Sequence, residues 1–379
     1  MKLIRTDNKL KMIAAFALLA VLPENSFAAN SEVGAGLSRT LSHAAKRQYK
    51  LIFDSDQHYT SRDWLLNGAH SAKSSALFSS LKASTVVLPT AYDIRLSIAS
   101  SISAANTLFP VYNQGSLGSC TANAAGAAMQ FTLMEQKAKD TSPRSRLFIY
   151  YNERQDDPNL NVKQDTGASI ADSIAAIAKY GACPESQWSY SDVTTGKNPK
   201  FTQKPSAQCY KDALKTADLD NLAAASIPQD ADTIKNFKIA LSQNNPVLVG
   251  LRLFSSFESA TVAKTGVVPM PVTTGRNAEQ LLGGHALMVT GYNDADQTFT
   301  VRNSWEESWG KQGYCTVPYK YFTNPALAGD FWVVSKVGPK TTTSATPSSN
   351  RVYPETAGLD MVKTAQPWYS KLLKCFGCA

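Results

Sequence analysis

The run Gln114-Gly-Ser-Leu-Gly-Ser-Cys120 leads straight into an alanine-rich stretch. Gly115 and Gly118 let the backbone turn tightly. Thr121 to Lys137, with Phe131, Leu133 and Met134, has the composition of a good helix. Cys120 therefore falls at or beside a helix start, where unpaired backbone N–H groups and the positive helix end favour a thiolate. Taken alone, such a cysteine is more commonly a buried structural residue.

Two later stretches change that balance. The chain has four histidines. His43, His58 and His70 crowd into its first fifth, so His285 is the only imidazole available to a thiol in the globular region. It sits in Gly283-Gly284-His285-Ala-Leu-Met-Val-Thr-Gly291, whose alternation puts His285, Leu287 and Val289 on one face of a strand. A buried imidazole needs partners for its nitrogens. Thr300-Val-Arg-Asn303-Ser-Trp305 follows after a turn at residues 293–297, and a hairpin can bring the Asn303 amide beside the ring, with Trp305 covering the bond. The same histidine count leaves no His-rich metal cluster in the main domain, and no metal or cofactor is expected.

These blocks, in this order, resemble a papain-like cysteine protease. Gln114 to Cys120 is similar to the family's glutamine–cysteine block, His285 to its glycine-flanked histidine strand, and Asn303-Ser-Trp305 to its asparagine block. Trp309-Gly310-Lys-Gln-Gly313-Tyr314 resembles the tail after that block, and Leu88-Pro-Thr-Ala-Tyr-Asp93-Ile-Arg95 the start of a mature enzyme. His285 and Asn303 lie 165 and 183 residues after Cys120, against roughly 130 to 150 for the family; inserts such as residues 191–212 can hold the excess. The resemblance implies an α+β fold of two lobes, the first helical and the second an antiparallel β-barrel-like lobe, with the cleft between them. It also implies a cysteine endopeptidase acting through a thiol acyl-enzyme: Cys120 as nucleophile, His285 as acid and base, Asn303 orienting the ring, and Gln114 with the Cys120 N–H as oxyanion hole. A catalytically silent binding protein on the same fold, and an amidase or acyltransferase, are the alternatives.

Three positions depart from the family pattern. Thr121 stands where tryptophan is usual, Leu117 where a disulfide cysteine is usual, and Glu306 where glycine is usual. Gly167, in Asp165-Thr-Gly167-Ala-Ser, is expected in the segment that pairs with an extended peptide substrate. Gly284 and Ala286 are expected beside the pocket that reads the second residue before the cut, where small side chains leave room for a bulky apolar one. Trp305 completes the expected substrate-binding set.

Helices are expected over residues 145–155, 172–180 and 233–242, and strands over 247–253, 285–291, 298–302, 313–317 and 331–334. Residues 1–29 read as a secretory signal peptide: Lys2, Arg5, Lys9 and Lys11 precede the apolar run Met12 to Leu22, and Ser26-Phe-Ala28 offers a cleavage site. Export, to a secreted or periplasmic location, permits disulfides, and Cys183 with Cys209 is the favoured pair. Residues 30–87 are expected to be a propeptide that covers the cleft, 88–340 the catalytic domain, and 341–379 a low-complexity linker and tail ending in Cys375-Phe-Gly-Cys378. The formal charge of +8, without long basic runs, does not point to nucleic acid. No stable membrane insertion is expected, because an apolar run of eleven residues falls short of a span of roughly 20. The expected partners are peptide or protein substrates and the chain's own propeptide.

Overall fold

The computed structural model describes residues 87–215 and 222–336, with Ser79. All of them lie in the compact unit that spans residues 48–379. The expected signal peptide, nearly all of the propeptide, the linker and the tail cysteines lie outside the described residues.

The helical part is built around α3 (Cys120–Glu135), preceded by strand β1 (Ala91–Asp93) and the short helices α1 (Arg95–Ile98) and α2 (Ile102–Leu108). Every residue of α3 from Cys120 to Leu133 is buried. A helix of alanines with no charge before Glu135 has no face that needs water, so it serves as a core helix. Helix α4 (Arg146–Asp156) starts where the Ser145 hydroxyl accepts the Phe148 N–H at 3.1 Å. Helix α5 (Ile170–Tyr180) starts on a capping box, Ser169 with Asp172, and stops at Gly181, whose φ of 70° favours glycine. Helix α6 (Ala207–Ala213) follows a single 3₁₀ turn at Lys200–Thr202. Cys209 on α6 is disulfide-bonded to Cys183, with 5.4 Å between Cα atoms, as the sequence favours.

The second half is the sheet. Its strands are β2 (Ala223–Ser226), β3 (Val247–Phe254), β4 (Leu281–Asn293), β5 (Thr298–Arg302), β6 (Tyr314–Pro318) and β7 (Ala328–Lys336). They are ordered β2-β7-β3-β4-β5-β6, with β1 added to the far end of β4, and every ladder is antiparallel. Helices α7 (Thr233–Ser242), α8 (Ala260–Thr265) and α9 (Tyr319–Thr323) fill the connections. One buried apolar cluster runs through both halves, from Ala122, Phe131 and Phe148 to Val249, Leu287 and Val301. The chain thus has the α+β architecture that the blocks imply.

The pairing of β4 with β5, Met288 opposite Arg302, sets where the functional residues meet. Arg302 is buried and donates to the carbonyls of Phe109 and Pro110 while its guanidinium lies 3.9 Å from the Phe109 ring centre. It thereby ties the segment that enters the Gln114 loop to the strand that leads to Asn303. Beyond it the two segments pair directly: Gln114 N donates to Ser304 O at 2.8 Å and Glu306 N to Tyr112 O at 3.0 Å.

Candidate active site

Cys120 is the first residue of α3 and is fully buried. Its sulfur lies within hydrogen-bonding range of the Ala286 backbone N–H, next to His285 on β4, and of the Thr121 N–H. Burial nonetheless pushes its thiol up to about 12, outweighing those N–H groups. Burial thus acts on the thiol in the direction opposite to the helix start and the backbone N–H groups.

His285 is 2% exposed. Its Nε2 lies 2.8 Å from Asn303 Oδ1, and the same Oδ1 accepts the Ser304 backbone N–H at 2.8 Å. A backbone N–H donates only to an acceptor, so the amide oxygen faces the ring and Nε2 carries the proton. Nδ1 is then the lone-pair nitrogen, and it has no hydrogen-bond partner. The ring stacks on Trp305 with centroids 5.0 Å apart, and Phe257 and Trp309 pack against that indole. Burial pushes the imidazole down to about 4, with the Asn303 bond opposing it. Taken one at a time, the two groups are held neutral. Transfer of one proton between them would form an ion pair whose mutual attraction opposes both shifts.

Gln114 is fully buried. Its Oε1 accepts the Ser304 hydroxyl at 2.6 Å, which turns Nε2 toward the Leu117 carbonyl at 3.2 Å. Ser304, in the middle of the asparagine block, thus decides through its hydroxyl which way the glutamine amide points.

A concavity of about 450 Å³ opens beside these residues, between the two halves. Its walls include Thr121, Ala168, Gly250, Gly284, His285 and Ala286. Gly284 and Ala286 thus line it, as expected. Gly167 does not; it stands just before the lining segment, at φ 75°, with its N–H donated to the Tyr150 hydroxyl at 3.1 Å. Trp305 is buried behind the imidazole rather than on the wall. Asp330, which no sequence pattern marks, also lines the concavity. Its carboxylate accepts the Ile170 N–H and the Trp332 indole N–H, each at 2.8 Å, and burial raises its pKa. Glu153 is a second buried acid beyond the reach of sequence patterns; it accepts the Thr121 hydroxyl at 2.9 Å and is also bonded to the Ser173 hydroxyl.

Residues 88–324 match the sequence profile described as papain family cysteine protease. The chain belongs to the papain family. An uncharacterized peptidase C1-like protein of Acanthamoeba polyphaga mimivirus is 39% identical over 252 residues, 66% of this chain and 76% of that protein. The crystal structure of xylellain, a cysteine protease from Xylella fastidiosa, superposes with a TM-score of 0.57 at 31% identity, covering 76% of this chain and 96% of xylellain. The protein is accordingly a papain-family cysteine-type peptidase. Among the described residues no helix is long and apolar enough to cross a membrane.

Proposed function

We propose that this papain-family protein is an endopeptidase that cleaves peptide bonds through an acyl-enzyme on Cys120. The observation that carries the reading is the His285 ring, bonded through Nε2 to Asn303 and presenting an unpaired Nδ1 on the strand that packs against Cys120. The Cys120 thiol proton passes to Nδ1 as sulfur attacks the scissile carbonyl carbon. A C–S bond forms and the carbonyl oxygen takes up the negative charge. Collapse breaks the C–N bond, and the imidazolium gives its proton to the departing amine. Neutral His285 then takes a proton from water, whose oxygen attacks the thioester and releases the acid and the thiol.

The Cys120 N–H and the Gln114 amide serve the developing oxyanion. One such donor is worth about 3 kcal/mol. The Ser304 hydroxyl on Oε1 and the Leu117 carbonyl beside Nε2 fix the direction in which that amide points. Gly167 positions the Ala168–Ser169 segment of the wall along the substrate backbone, Gly284 and Ala286 border the pocket for an apolar side chain, and Trp305 shields the His285–Asn303 bond.

The precursor is exported by residues 1–29 and held inactive by residues 30–87, with release near Leu88. The basic, apolar and small-residue series at the amino end supports export, and the buried Cys183–Cys209 bridge fits an oxidising compartment. The test is the intact mass of secreted protein before and after a thiol-directed epoxide, beside Cys120→Ala. One adduct on a form starting near Leu88, absent from the variant, is the expected result. A processed form that takes no adduct and hydrolyses no peptide would identify a silent binding protein. Transfer to an added amine in place of hydrolysis would identify an acyltransferase.

A further inference from the structure

The loop that carries Gln114 to Cys120 has Leu117 at its tip, and backbone N–H groups on both sides of that residue are held by carboxylates. On one side Ser116 N donates to Asp192 at 3.1 Å, and the Ser116 hydroxyl donates to the Asp192 carbonyl at 2.9 Å. On the other, Gly118 N reaches both oxygens of Asp165, at 3.0 and 3.2 Å. The fit is close, since a Cβ on Gly118 would come within 3.0 Å of the same carboxylate. The carbonyl between these pinned amides, that of Leu117, is the one the Gln114 side chain touches. Displacing the loop therefore displaces the glutamine amide.

Asp165 also accepts the Tyr150 hydroxyl proton, and that hydroxyl oxygen accepts the N–H of Gly167. One tyrosine–aspartate pair thus reaches Gly118 on the oxyanion side and Gly167 on the substrate side. The pair is itself anchored. Tyr150 is fully buried, with the Arg154 guanidinium 3.8 Å from its ring centre. Arg154 donates to the carbonyls of Tyr150, Val162, Gln164 and Phe201. Two of those carbonyls lie in the loop that presents Asp165, so its carboxylate is held from a braced backbone.

We propose that Tyr150 and Asp165 form a clasp that positions the oxyanion loop and the Gly167 segment relative to one another, making Asp165 a positioning residue for the peptidase reaction. The inference rests on the proposed endopeptidase activity for its kinetic consequences, and on hydrogen bonds alone for its mechanical ones. A carboxylate fits this place: its Oδ1 takes the Tyr150 hydroxyl and the Gly118 N–H at once, its Oδ2 lies 3.2 Å from the same N–H, and charge-assisted bonds are roughly twice as strong as neutral ones. Asn at the same position keeps the shape but loses the charge and one acceptor.

The experiment compares wild type, Asp165→Asn, Tyr150→Phe and Cys120→Ala, all processed from the full chain, by peptide hydrolysis and by amide hydrogen exchange. Asp165→Asn is expected to lower kcat by about tenfold or more with KM nearly unchanged, since small misplacement of catalytic donors is costly. Tyr150→Phe is expected to raise KM as well, because Gly167 loses its acceptor. Exchange is expected to quicken at residues 114–120 and 166–169 in both variants while the sheet strands keep wild-type protection. Unchanged exchange at both segments, or quickening spread evenly over the domain, would overturn the clasp. So would a kcat for Asp165→Asn within about twofold of an active wild type. A wild type as inert as Cys120→Ala would refute the endopeptidase reading instead, and the exchange pattern would still decide the clasp.

Discussion

His285 Nε2 lies 2.8 Å from Asn303 Oδ1, and Nδ1 of the same ring has no hydrogen-bond partner. The first fact sets what the second leaves available, a lone pair on Nδ1. With the Asn303 oxygen fixed by the Ser304 N–H, the ring proton is confined to Nε2 and the lone pair to Nδ1. Trp305 stacked on the ring face restricts its rotation.

Asn303→Ala removes the acceptor and frees both ring tautomers. It also removes the bond that opposes the burial-driven fall in the imidazole pKa, so the histidine becomes a weaker base as well as a less oriented one. The expected loss in kcat is about 10- to 100-fold, with the melting temperature within a few degrees of wild type. Steady-state kinetics with a peptide substrate, alongside thermal melts, checks this; an unimpaired kcat would count against an orienting role.

The thiol and the imidazole shift in opposite directions, Cys120 up to about 12 and His285 down to about 4, both through burial. Between those limits the pair holds one proton in total, and the fraction with that proton on His285 does not depend on pH. Alkylation of Cys120 in the wild type is therefore expected to be flat through neutrality and to fall only as the pH approaches the lower limit. His285→Ala leaves a lone buried thiol, so alkylation should then require alkaline pH, with a midpoint above the ordinary 8.5 of a cysteine. Iodoacetamide rates across pH measure both. A midpoint at or below 8.5 in the variant would show that the helix start outweighs burial after all.

Much of this arrangement is legible in the sequence. The expected strand over 298–302 and helix over 233–242 coincide with β5 and α7, and α3 begins one residue before its expected start. The histidine count singles out His285, and the Asn303 block follows it by one hairpin. What escapes notice has physical reasons. Helices of four to seven residues, such as α1, α2 and α6, are too short to show a period. Strand β2 is Ala-Ala-Ala-Ser, a poor strand former held by its ladder with β7. Asp165, Asp192, Glu153 and Asp330 lie far from Cys120 and His285 along the chain, and only the fold brings their carboxylates to the site. The same holds for Arg154 and Arg302, charged residues that are buried because backbone carbonyls converge on them.

Glu153 offers a stability prediction. It is fully buried, and burial raises its carboxyl from about 4.5 to about 8, against the lowering effect of the Ser173 and Thr121 hydroxyls. The folded protein thus keeps a proton that the unfolded chain has released. Its contribution to stability is whole below about pH 4.5 and is lost as the pH rises through about 8. Glu153→Gln, which has no proton to lose, is expected to melt higher than wild type at pH 8.5, with the difference shrinking toward pH 5. Melts at several pH values test this. A variant that melts lower than wild type at pH 8.5 would mean that the carboxylate is stabilised there.

Gly115 has φ 55°, and a Cβ on it would lie 2.0 Å from an Asp192 carboxylate oxygen. Gly115→Ala therefore adds a collision to the cost of a left-handed backbone, for a loss of about 1 to 3 kcal/mol. Trimming the carboxylate removes the collision and the Ser116 N–H acceptor and leaves the left-handed backbone as it is. In Asp192→Ala the same glycine substitution should cost less, giving a coupling within the range of 0.5 to 3 kcal/mol found for residues in contact. Denaturant melts of the two single variants and the double variant close the cycle; additive losses would place the strain in the backbone alone.

The Cys183–Cys209 bridge joins residues 26 apart and is buried at both ends. Chain-entropy reasoning gives about 3.5 kcal/mol for a loop of that length. Cys183→Ala with Cys209→Ala is expected to melt well below wild type while keeping its kcat, because the bridge fastens α6 to the end of α5 and touches neither Cys120 nor the concavity. Reductant should lower the wild-type melt toward that of the double variant and leave the variant's own melt in place. Thermal melts with and without dithiothreitol measure both effects. A melt that reductant leaves unchanged would show that packing around α6 holds the segment without the bond. A large fall in kcat of the folded double variant would tie the bridge to the site through Tyr210, whose hydroxyl donates to Asn152 on α4 at 2.8 Å.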